Sequence, residues 1–158
     1  MLKFHNFDIV FQEIPDETTL AINITGCPFR CEGCHSPHLR EDTGEPLDQE
    51  ALRAIWERYG HGVTCVCLMG GDADPAAVQQ LSIFIRGEFG VRTGWYSGAE
   101  EISPLIDVRN FDYIKIGGFR SEQGGLRHET TNQRLYAVSP DGTLHDLTHL
   151  FHRKRVFE

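Results

Sequence analysis

Three cysteines lie within eight residues of one another, namely Cys27, Cys31 and Cys34 in the spacing Cys-x3-Cys-x2-Cys. Three thiolates on a short loop can bind three irons of a [4Fe–4S] cube, whereas a fully ligated cluster usually takes four cysteines. Because no fourth cysteine lies nearby, the spacing predicts a cube with one iron open to a small molecule. An open coordination position is typical of a catalytic metal site rather than a structural one.

A structural zinc site is the alternative interpretation of the same loop. The three thiolates together with His35 or His38 would form a Cys3His set, which suits tetrahedral zinc. Zinc sites usually contain paired Cys-x2-Cys units, so the spacing favours an iron–sulfur cluster. Spacing alone also leaves open that the cysteines bind nothing.

The composition indicates one globular domain over residues 1–158. Hydrophobic residues make up 40% and charged residues 24% of the chain, which excludes a disordered or fibrous protein. No apolar run approaches the about 20 residues that span a bilayer, and the first residues lack the apolar core of a signal peptide. An odd count of five cysteines argues against a disulfide framework. We therefore expect a cytoplasmic protein without a membrane partner.

The formal net charge of −8 argues against a nucleic-acid partner. Affinity for phosphate backbones depends on clustered lysine and arginine side chains. An acidic surface instead suits a protein partner with a basic docking face.

Strand-like and helix-like runs alternate along the chain, without internal repeats or a dividing linker. This alternation predicts βαβ units and an α/β fold with a largely parallel sheet. Right-handed crossovers would wind the sheet into an open sheet or an incomplete βα barrel, since a closed eight-unit barrel needs about 250 residues. We predict strands over residues 7–12, 19–25, 63–69, 91–96, 112–116 and 134–138, and helices over 49–59, 75–88 and 99–106, with helix caps at Asp48 and Asp74.

Each predicted parallel strand ends in a loop of unusual composition. The first strand is followed by the cysteine loop, the second by Gly-Gly-Asp-Ala-Asp over residues 70–74, the third by Ser97-Gly98 and the fourth by Gly117-Gly118. Functional sites of parallel α/β folds lie at the carboxyl ends of the strands. We therefore expect these loops to converge on one edge of the sheet.

Taken together, these loops resemble those of the radical S-adenosylmethionine (SAM) enzymes. The three-cysteine loop after a first strand, followed by a Gly-Gly-acidic loop after the second, is specific for that superfamily. Within it, Gly-Cys-Pro-Phe-Arg-Cys-Glu-Gly-Cys-His-Ser-Pro over residues 26–37 is similar to the activating proteins of anaerobic ribonucleoside-triphosphate reductase. Three later stretches and the short length fit the same subfamily: Met-Gly-Gly-Asp at 69–72, Tyr-Ser-Gly at 96–98 and Thr-Thr-Asn-Gln-Arg-Leu-Tyr at 130–136.

The resemblance implies an oxidoreductase with an incomplete βα barrel of the radical SAM type. In that family a [4Fe–4S] cluster binds SAM through its open iron. One electron from the reduced cluster then cleaves SAM to methionine and a 5′-deoxyadenosyl radical, which removes a hydrogen atom from a glycine of the reductase. The implied partners are the glycyl-radical subunit of the reductase and an electron donor such as flavodoxin.

The cysteine loop supplies the first group of site residues that the resemblance implies. Cys27, Cys31 and Cys34 are the implied cluster ligands and catalytic residues. Gly33, Cys34 and His35 are expected to pass near SAM, mostly through backbone groups.

The later loops supply the second group of implied site residues. Gly70 and Gly71 let the backbone approach the methionyl end of SAM closely, which a Cβ would block. Asp72 can accept hydrogen bonds from the ammonium of SAM. Ser97 and Lys115 are expected near the nucleoside or the carboxylate.

Two positions depart from the usual superfamily pattern. Gly33 stands where many members carry an aromatic residue next to adenine. The second loop reads Gly-Gly-Asp-Ala-Asp-Pro instead of Gly-Gly-Glu-Pro, which leaves open whether Asp72 or Asp74 faces the ammonium. We expect Asp72 to do so.

Other functions stay open beside this one. A small radical SAM enzyme could rearrange a heterocycle, as in deazapurine synthesis, and would then need no glycine-bearing protein partner. A non-enzymatic zinc-binding interaction module would hold one zinc and would not bind SAM.

The remaining candidate residues have a structural interpretation as well as a functional one. Cys65 and Cys67 lie two apart on a predicted strand and are expected to be buried core thiols. The polar, glycine-rich segment 124–133 could be a surface connection, a contact with the reductase or a lid. Three histidines near the C-terminus are expected to be solvated surface residues rather than a metal site: His145, His149 and His152.

Overall fold

A computed structural model of the protein describes residues 2–26 and 43–152. Within them the chain forms an eight-stranded sheet and two α-helices. Within the same residues, no helix combines the length and the apolar composition needed to cross a membrane. The elements in chain order are β1 (Lys3–Val10), β2 (Thr19–Ile24), β3 (Glu45–Pro46), α1 (Gln49–Tyr59), β4 (Cys65–Met69), α2 (Pro75–Phe89), β5 (Arg92–Tyr96), β6 (Tyr113–Ile116), β7 (Arg134–Val138) and β8 (Leu144–Asp146).

The sheet is mixed and open, with the strand order β3-β1-β2-β4-β5-β6-β7-β8. The four central strands, β2, β4, β5 and β6, run parallel to one another, as predicted. The flanking pairs are antiparallel, so the prediction of a largely parallel sheet is wrong at both edges. The β1–β2 and β7–β8 connections are short, and a short connection can join only antiparallel neighbours.

Both long helices begin at the predicted caps. The Asp48 carboxylate accepts a hydrogen bond from the backbone N–H of Ala51 at 2.8 Å, and α1 follows over the predicted residues. The Asp74 carboxylate accepts from the N–H of Ala77 at 3.2 Å, and Pro75 opens α2. These side chains satisfy amide donors that the first turn of a helix leaves without intrahelical partners.

The predicted helix over residues 99–106 is wrong. This segment consists of turns and bends, and a short 3₁₀ turn, Val108–Asn110, follows it. Pro104 lies inside the predicted helix, where it would lack an N–H for the helical ladder and its ring would clash with the preceding turn. The segment instead contacts the end of β6, because the N–H of Gly117 donates to the carbonyl of Ala99 at 2.7 Å.

The two faces of the sheet are covered differently. The apolar residues of α1 and α2 pack on one face, where alternate strand residues such as Leu68, Trp95 and Ile114 are buried. On the other face, Ile14 from the β1–β2 loop covers Cys65 and Cys67. Both thiols are free and fully buried, which confirms them as core residues. The second face therefore has no helical layer among the described residues, and loops cover it instead.

Candidate functional site

The loops after β4, β5 and β6 meet at the carboxyl edge of the parallel strands. The N–H of Gly70 donates to the carbonyl of Tyr96 at 3.0 Å, and the N–H of Ser97 donates to the carbonyl of Lys115 at 2.9 Å. The predicted convergence is therefore confirmed for these three loops. It follows from the parallel register, in which the last residue of β4, Met69, lies beside Tyr96.

The cysteine loop leaves the sheet at the same edge. The strand β2 is parallel to β4, and its Asn23 lies beside Met69. The chain is described to Gly26, two residues beyond the end of β2. The predicted cluster ligands and their neighbours lie outside the described residues: Cys27, Cys31, Cys34, Gly33 and His35.

Gly70 and Gly71 have structural reasons to be glycines. Their φ angles are +106° and +88°, a region that residues with a side chain rarely adopt. A Cβ on Gly70 would lie 3.2 Å from the carbonyl oxygen of Ile24, and one on Gly71 would lie 2.6 Å from a methyl carbon of Val78. The two glycines therefore let the loop turn sharply against β2 and α2. Their approach to SAM stays a prediction.

Asp72 points to the turn after β5. Its Oδ1 accepts a hydrogen bond from the hydroxyl of Ser97, and its Oδ2 accepts one from the N–H of Gly98 at 3.1 Å. An ionised carboxylate offers about four acceptor positions, so this half-buried group can accept further donors. Asp74 is exposed and caps α2 with its carboxylate. Of the two acidic residues, Asp72 is the one that lies where the loops meet.

Ser97 and Lys115 extend the contacts of Asp72 across the strand ends. Ser97 is 2% exposed and Lys115 is 8% exposed. The Lys115 ammonium donates to the carbonyls of Ser97 at 3.2 Å and Gly117 at 2.8 Å, and it lies 5.8 Å from the centre of the Tyr96 ring. The buried cation therefore holds the loops after β5 and β6 together. The structure brings three predicted site residues, Asp72, Ser97 and Lys115, into one connected group.

A cavity of about 560 Å³ lies beside this group. Its lining includes Tyr96, Lys115 and Gln133, residues 12 and 13 of the β1–β2 loop, and most of the segment 119–130. Gln133 is 7% exposed, and its side-chain amide donates to the carbonyl of Gly117 at 3.3 Å. The Tyr96 hydroxyl donates to the carbonyl of Glu13. Among these cavity residues, Lys115 is predicted from the sequence to lie in the SAM site, and the segment 124–133 is predicted to act as a lid or a partner contact. Tyr96 has no individual role in that prediction, although it lies in a stretch that carries the resemblance.

The segment 119–130, here called the cavity segment, is bonded mainly to itself. The Thr130 hydroxyl donates to the carbonyl of Gln123 at 2.7 Å. A side-chain bond from Arg127 to Gln12 at 2.5 Å ties the segment to the β1–β2 loop. Because the cavity segment lines the cavity, it is not a surface connection remote from the site. Its predicted action as a lid or as a contact with the reductase is untested.

Buried groups of the second face titrate far from neutral pH. Burial raises the pKa values of the Cys65 and Cys67 thiols and of the Tyr96 hydroxyl well above their ordinary ranges. Cys65 and Cys67 are therefore neutral thiols packed in the core, with Ile14 against them. No group of three metal-ligating side chains occurs within residues 2–26 and 43–152. That Cys27, Cys31 and Cys34 bind a metal stays a prediction from their spacing.

The C-terminal histidines make separate contacts. His145 pairs with the Ser139 hydroxyl at 2.6 Å, and His152 pairs with the carbonyl of Leu126 at 2.8 Å. These two do not converge on one point. His145 and His149 are exposed, as expected for surface residues, whereas His152 is half-buried.

Residues 18–102 match the family of 4Fe-4S single cluster domains, so the chain belongs to that family. The matched segment is more than half of the chain and contains the three-cysteine loop, Gly70, Gly71, Asp72 and Ser97. Membership supports an iron–sulfur cluster as the metal group and disfavours zinc. No curated protein and no solved structure shows a significant match to the chain.

The residues present fit such a cluster. Cysteine thiolates are the usual protein ligands of iron–sulfur clusters, and a three-thiolate loop leaves one position open. The loop follows β2, whose neighbour β4 precedes Asp72, and the next strand, β5, precedes Ser97 at the same edge. The chain therefore combines a cluster-binding loop with a buried polar group beside it.

Proposed function

We propose that this protein is a radical SAM activase that generates the glycyl radical of an anaerobic ribonucleoside-triphosphate reductase. One observation carries the proposal. The three-cysteine loop leaves β2 at the edge where Asp72, Ser97 and Lys115 form a connected polar group. The half-buried Asp72 carboxylate has acceptor positions beyond those used by Ser97 and Gly98, and these suit the ammonium group of a ligand.

In this proposal Cys27, Cys31 and Cys34 hold the cluster. When bound, the [4Fe–4S] cluster and SAM supply a one-electron cleavage that yields a 5′-deoxyadenosyl radical. Gly33 and His35 contact SAM through their backbone groups. The chain contributes position and exclusion of water, which is the usual share of a protein in cofactor chemistry.

The later loops orient SAM in the proposed site. The Asp72 carboxylate accepts from the ammonium of SAM in a charge-assisted hydrogen bond. Gly70 and Gly71 bring backbone groups to the methionyl end. The Ser97 hydroxyl holds Asp72 in place, and Lys115 fixes the carbonyl of Ser97. A ligand carboxylate or nucleoside next to Ser97 would also lie near the Lys115 cation.

The cavity supports a substrate that reaches the second face of the sheet. Its volume of about 560 Å³ exceeds that of a single amino-acid residue and suits a short stretch of polypeptide. Neither α1 nor α2 lines it, and most of its lining comes from loops, together with strand residues and Phe151 of the 3₁₀ turn Thr148–His152. The cavity segment is tied to the β1–β2 loop by an exposed side-chain bond. In the proposal this segment moves or docks when the glycine-bearing loop of the reductase enters.

The fold is consistent with the radical SAM type. The connections from β2 to β4 and from β4 to β5 join parallel strands and carry α1 and α2 on the same face. We propose that this half of the sheet corresponds to an incomplete βα barrel. The proposal also includes a cytoplasmic location and an electron donor such as flavodoxin. A nucleic-acid partner is not expected because the net charge is −8, and a membrane partner is not part of the proposal.

The test begins with anaerobic reconstitution of the full chain with iron and sulfide. We expect about four irons per chain and, after reduction, a cubane EPR signal that shifts when SAM is added. Cys31→Ala should lose the cluster. Cys65→Ala is the matched control because its buried thiol lies beside Thr19, at the opposite end of β2 from Gly26. A colourless protein with one zinc would overturn the iron–sulfur and activase assignments together.

The second step supplies the partner. Reduced protein, SAM and the reductase should produce a glycyl-radical EPR signal together with one 5′-deoxyadenosine per radical. A reductase whose C-terminal radical glycine is changed to alanine is the control and should give no such signal. Productive cleavage of SAM with a small heterocycle but not with the reductase would instead identify a small-molecule radical SAM enzyme.

A further inference from the structure

The loop that carries Asp72 is anchored to β5 by a tryptophan. The indole N–H of Trp95 donates to the carbonyl of Gly70 at 2.7 Å. The N–H of the same glycine donates to the carbonyl of Tyr96 at 3.0 Å. Both peptide groups that flank Gly70 are therefore held by consecutive residues of one strand. The next two residues of the chain, Ser97 and Gly98, hold the carboxylate of the loop.

We propose that Trp95 is a positioning residue for SAM, which fixes the carbonyl of Gly70 and thereby orients the Asp72 carboxylate toward the ligand ammonium. This inference rests on the proposed function, since it concerns the same site. Trp95 itself does not need to touch the ligand.

The two glycines explain why such an anchor matters. Consecutive glycines leave the backbone more conformational freedom than any other pair of residues. The carbonyl that Trp95 holds belongs to the peptide group between Gly70 and Gly71, so the hydrogen bond selects one orientation of the most flexible part of the loop. On the far side of Asp72, the N–H of Asp74 donates to the carbonyl of Gly71 at 3.0 Å. Asp72 therefore lies between two fixed points.

The anchor comes from a rigid part of the molecule. Trp95 is 1% exposed, and its ring stacks on Phe111 with 5.8 Å between the ring centres and an angle of 25°. A phenylalanine could fill most of this space but has no donor for the carbonyl of Gly70. Trp95→Phe therefore removes the hydrogen bond to Gly70 while it keeps most of the packing on Phe111.

The first measurement is amide hydrogen exchange of the reconstituted full chain, without SAM. Trp95→Phe should increase exchange in the peptide that covers residues 70–74 by at least several-fold. The matched control is Trp56→Phe, because Trp56 lies on α1 and stacks on Phe89 in the helical layer. Unchanged exchange over residues 70–74 in Trp95→Phe would overturn the anchoring role.

The second measurement is the affinity for SAM. Loss of a group that orients a ligand-binding residue typically costs about 10-fold or more, so we expect the dissociation constant to rise about tenfold in Trp95→Phe and to stay unchanged in Trp56→Phe. The same substitution is then made in an Asp72→Asn background. If Trp95 acts through Asp72, its effect there should nearly vanish, because coupled residues are not additive.

The outcomes separate this inference from the proposed function. A Trp95→Phe loss that is equally large in both backgrounds would show that the indole does not act through Asp72, and would overturn the inference while SAM binding stands. Absence of SAM binding by the wild-type protein would contradict the proposed function and the ligand role of Trp95 together. The exchange measurement would still decide whether Trp95 anchors the loop.

Discussion

The ion pair between Glu17 and Arg92 should contribute more to stability than the other exposed arginine pairs of the protein. Three contacts join the two side chains: Nε to Oε1 at 2.7 Å, Nε to Oε2 at 3.0 Å and Nη2 to Oε1 at 2.6 Å. The Glu17 side chain is only 4% exposed, while that of Arg92 is 53% exposed. The Thr64 hydroxyl adds one donor to the carboxylate at 3.2 Å. Removal of the arginine would therefore leave a buried charge with a single side-chain donor.

The stability loss on removal of Arg92 depends on the difference in exposure between the two side chains. Removing one partner of a fully buried pair costs about 3–5 kcal/mol. Because half of the Arg92 side chain is in water, solvent already screens part of the attraction, and we expect a cost of about 2 kcal/mol for Arg92→Met. In a domain of this length that loss lowers the melting temperature by about 4–8 °C.

The chain contains a matched control. Arg53 forms a single contact with Glu88 at 3.4 Å, and the two side chains are 52% and 46% exposed. The Arg53 guanidinium also lies 5.1 Å from the centre of the Phe84 ring. Arg53→Met should therefore lower the unfolding free energy by at most about 1 kcal/mol, which is half of the loss expected for Arg92→Met. Urea unfolding of both variants at one fixed cluster content provides the comparison. Equal losses in the two variants would refute the reasoning that burial of the carboxylate decides the effect.

Three further predictions concern the site, the backbone and the pH dependence. Ser97→Ala removes the hydroxyl that donates to Asp72 and should weaken SAM binding about tenfold, as measured by equilibrium dialysis with the reconstituted protein. Gly71→Ala places a methyl group 2.6 Å from a side-chain carbon of α2 at a φ of +88°, and it should lower the unfolding free energy by about 2–3 kcal/mol. Gly87→Ala lies in open space on α2 and should raise the unfolding free energy by about 0.5–1 kcal/mol. Urea unfolding measures both effects. Burial, followed by nearby negative charge, raises the pKa of the Tyr113 hydroxyl to about 12. The stability of the wild-type protein should therefore fall relative to that of Tyr113→Phe as the pH rises from about 10 to about 12. Parallel pH profiles of the two proteins would contradict this prediction.

The sequence predicts best those elements whose ends are marked by specific side chains. Asp48 and Asp74 each lie before an apolar helical pattern, and both helices begin where the caps indicate. The central strands were predictable because each is a short segment with buried residues that is followed by a glycine within two residues. The helix expected over residues 99–106 failed because Pro104 outweighs the surrounding pattern.

The edge strands were harder to predict. The strand β3 has two residues and β8 has three, and both are exposed. Neither segment carries a periodic pattern, since pairing with a neighbour rather than burial makes them strands. The antiparallel edges of the sheet therefore could not be read from hydrophobicity alone.

The residues of the candidate site also differ in how well the sequence predicts their roles. Its acidic and glycine residues were predicted from the resemblance of their loops to those of a known family, and Asp72 and Ser97 do meet. The tryptophan that holds their loop could not be assigned, because an indole in a buried strand resembles any other core residue until its N–H has a partner. Donors to a flexible loop come from whichever strand lies beside it, and that neighbour is decided by sheet order.

Sheet order also explains why the proposed chemistry can be open to a protein substrate. In the chain α1 lies between the parallel strands β2 and β4, and α2 lies between β4 and β5. Both helices pack on one face, and the β1–β2 loop and the cavity segment lie on the opposite face. Such loops are held by few bonds to the remainder of the molecule, as in the contact between Arg127 and Gln12. The layer formed by α1 and α2 supports the strand ends from one face of the sheet. The loops on the opposite face, which line the cavity, can rearrange without disturbing the core under the helices. A site built to reach a glycine in another protein requires that combination, since the reacting groups must stay fixed while a large partner enters.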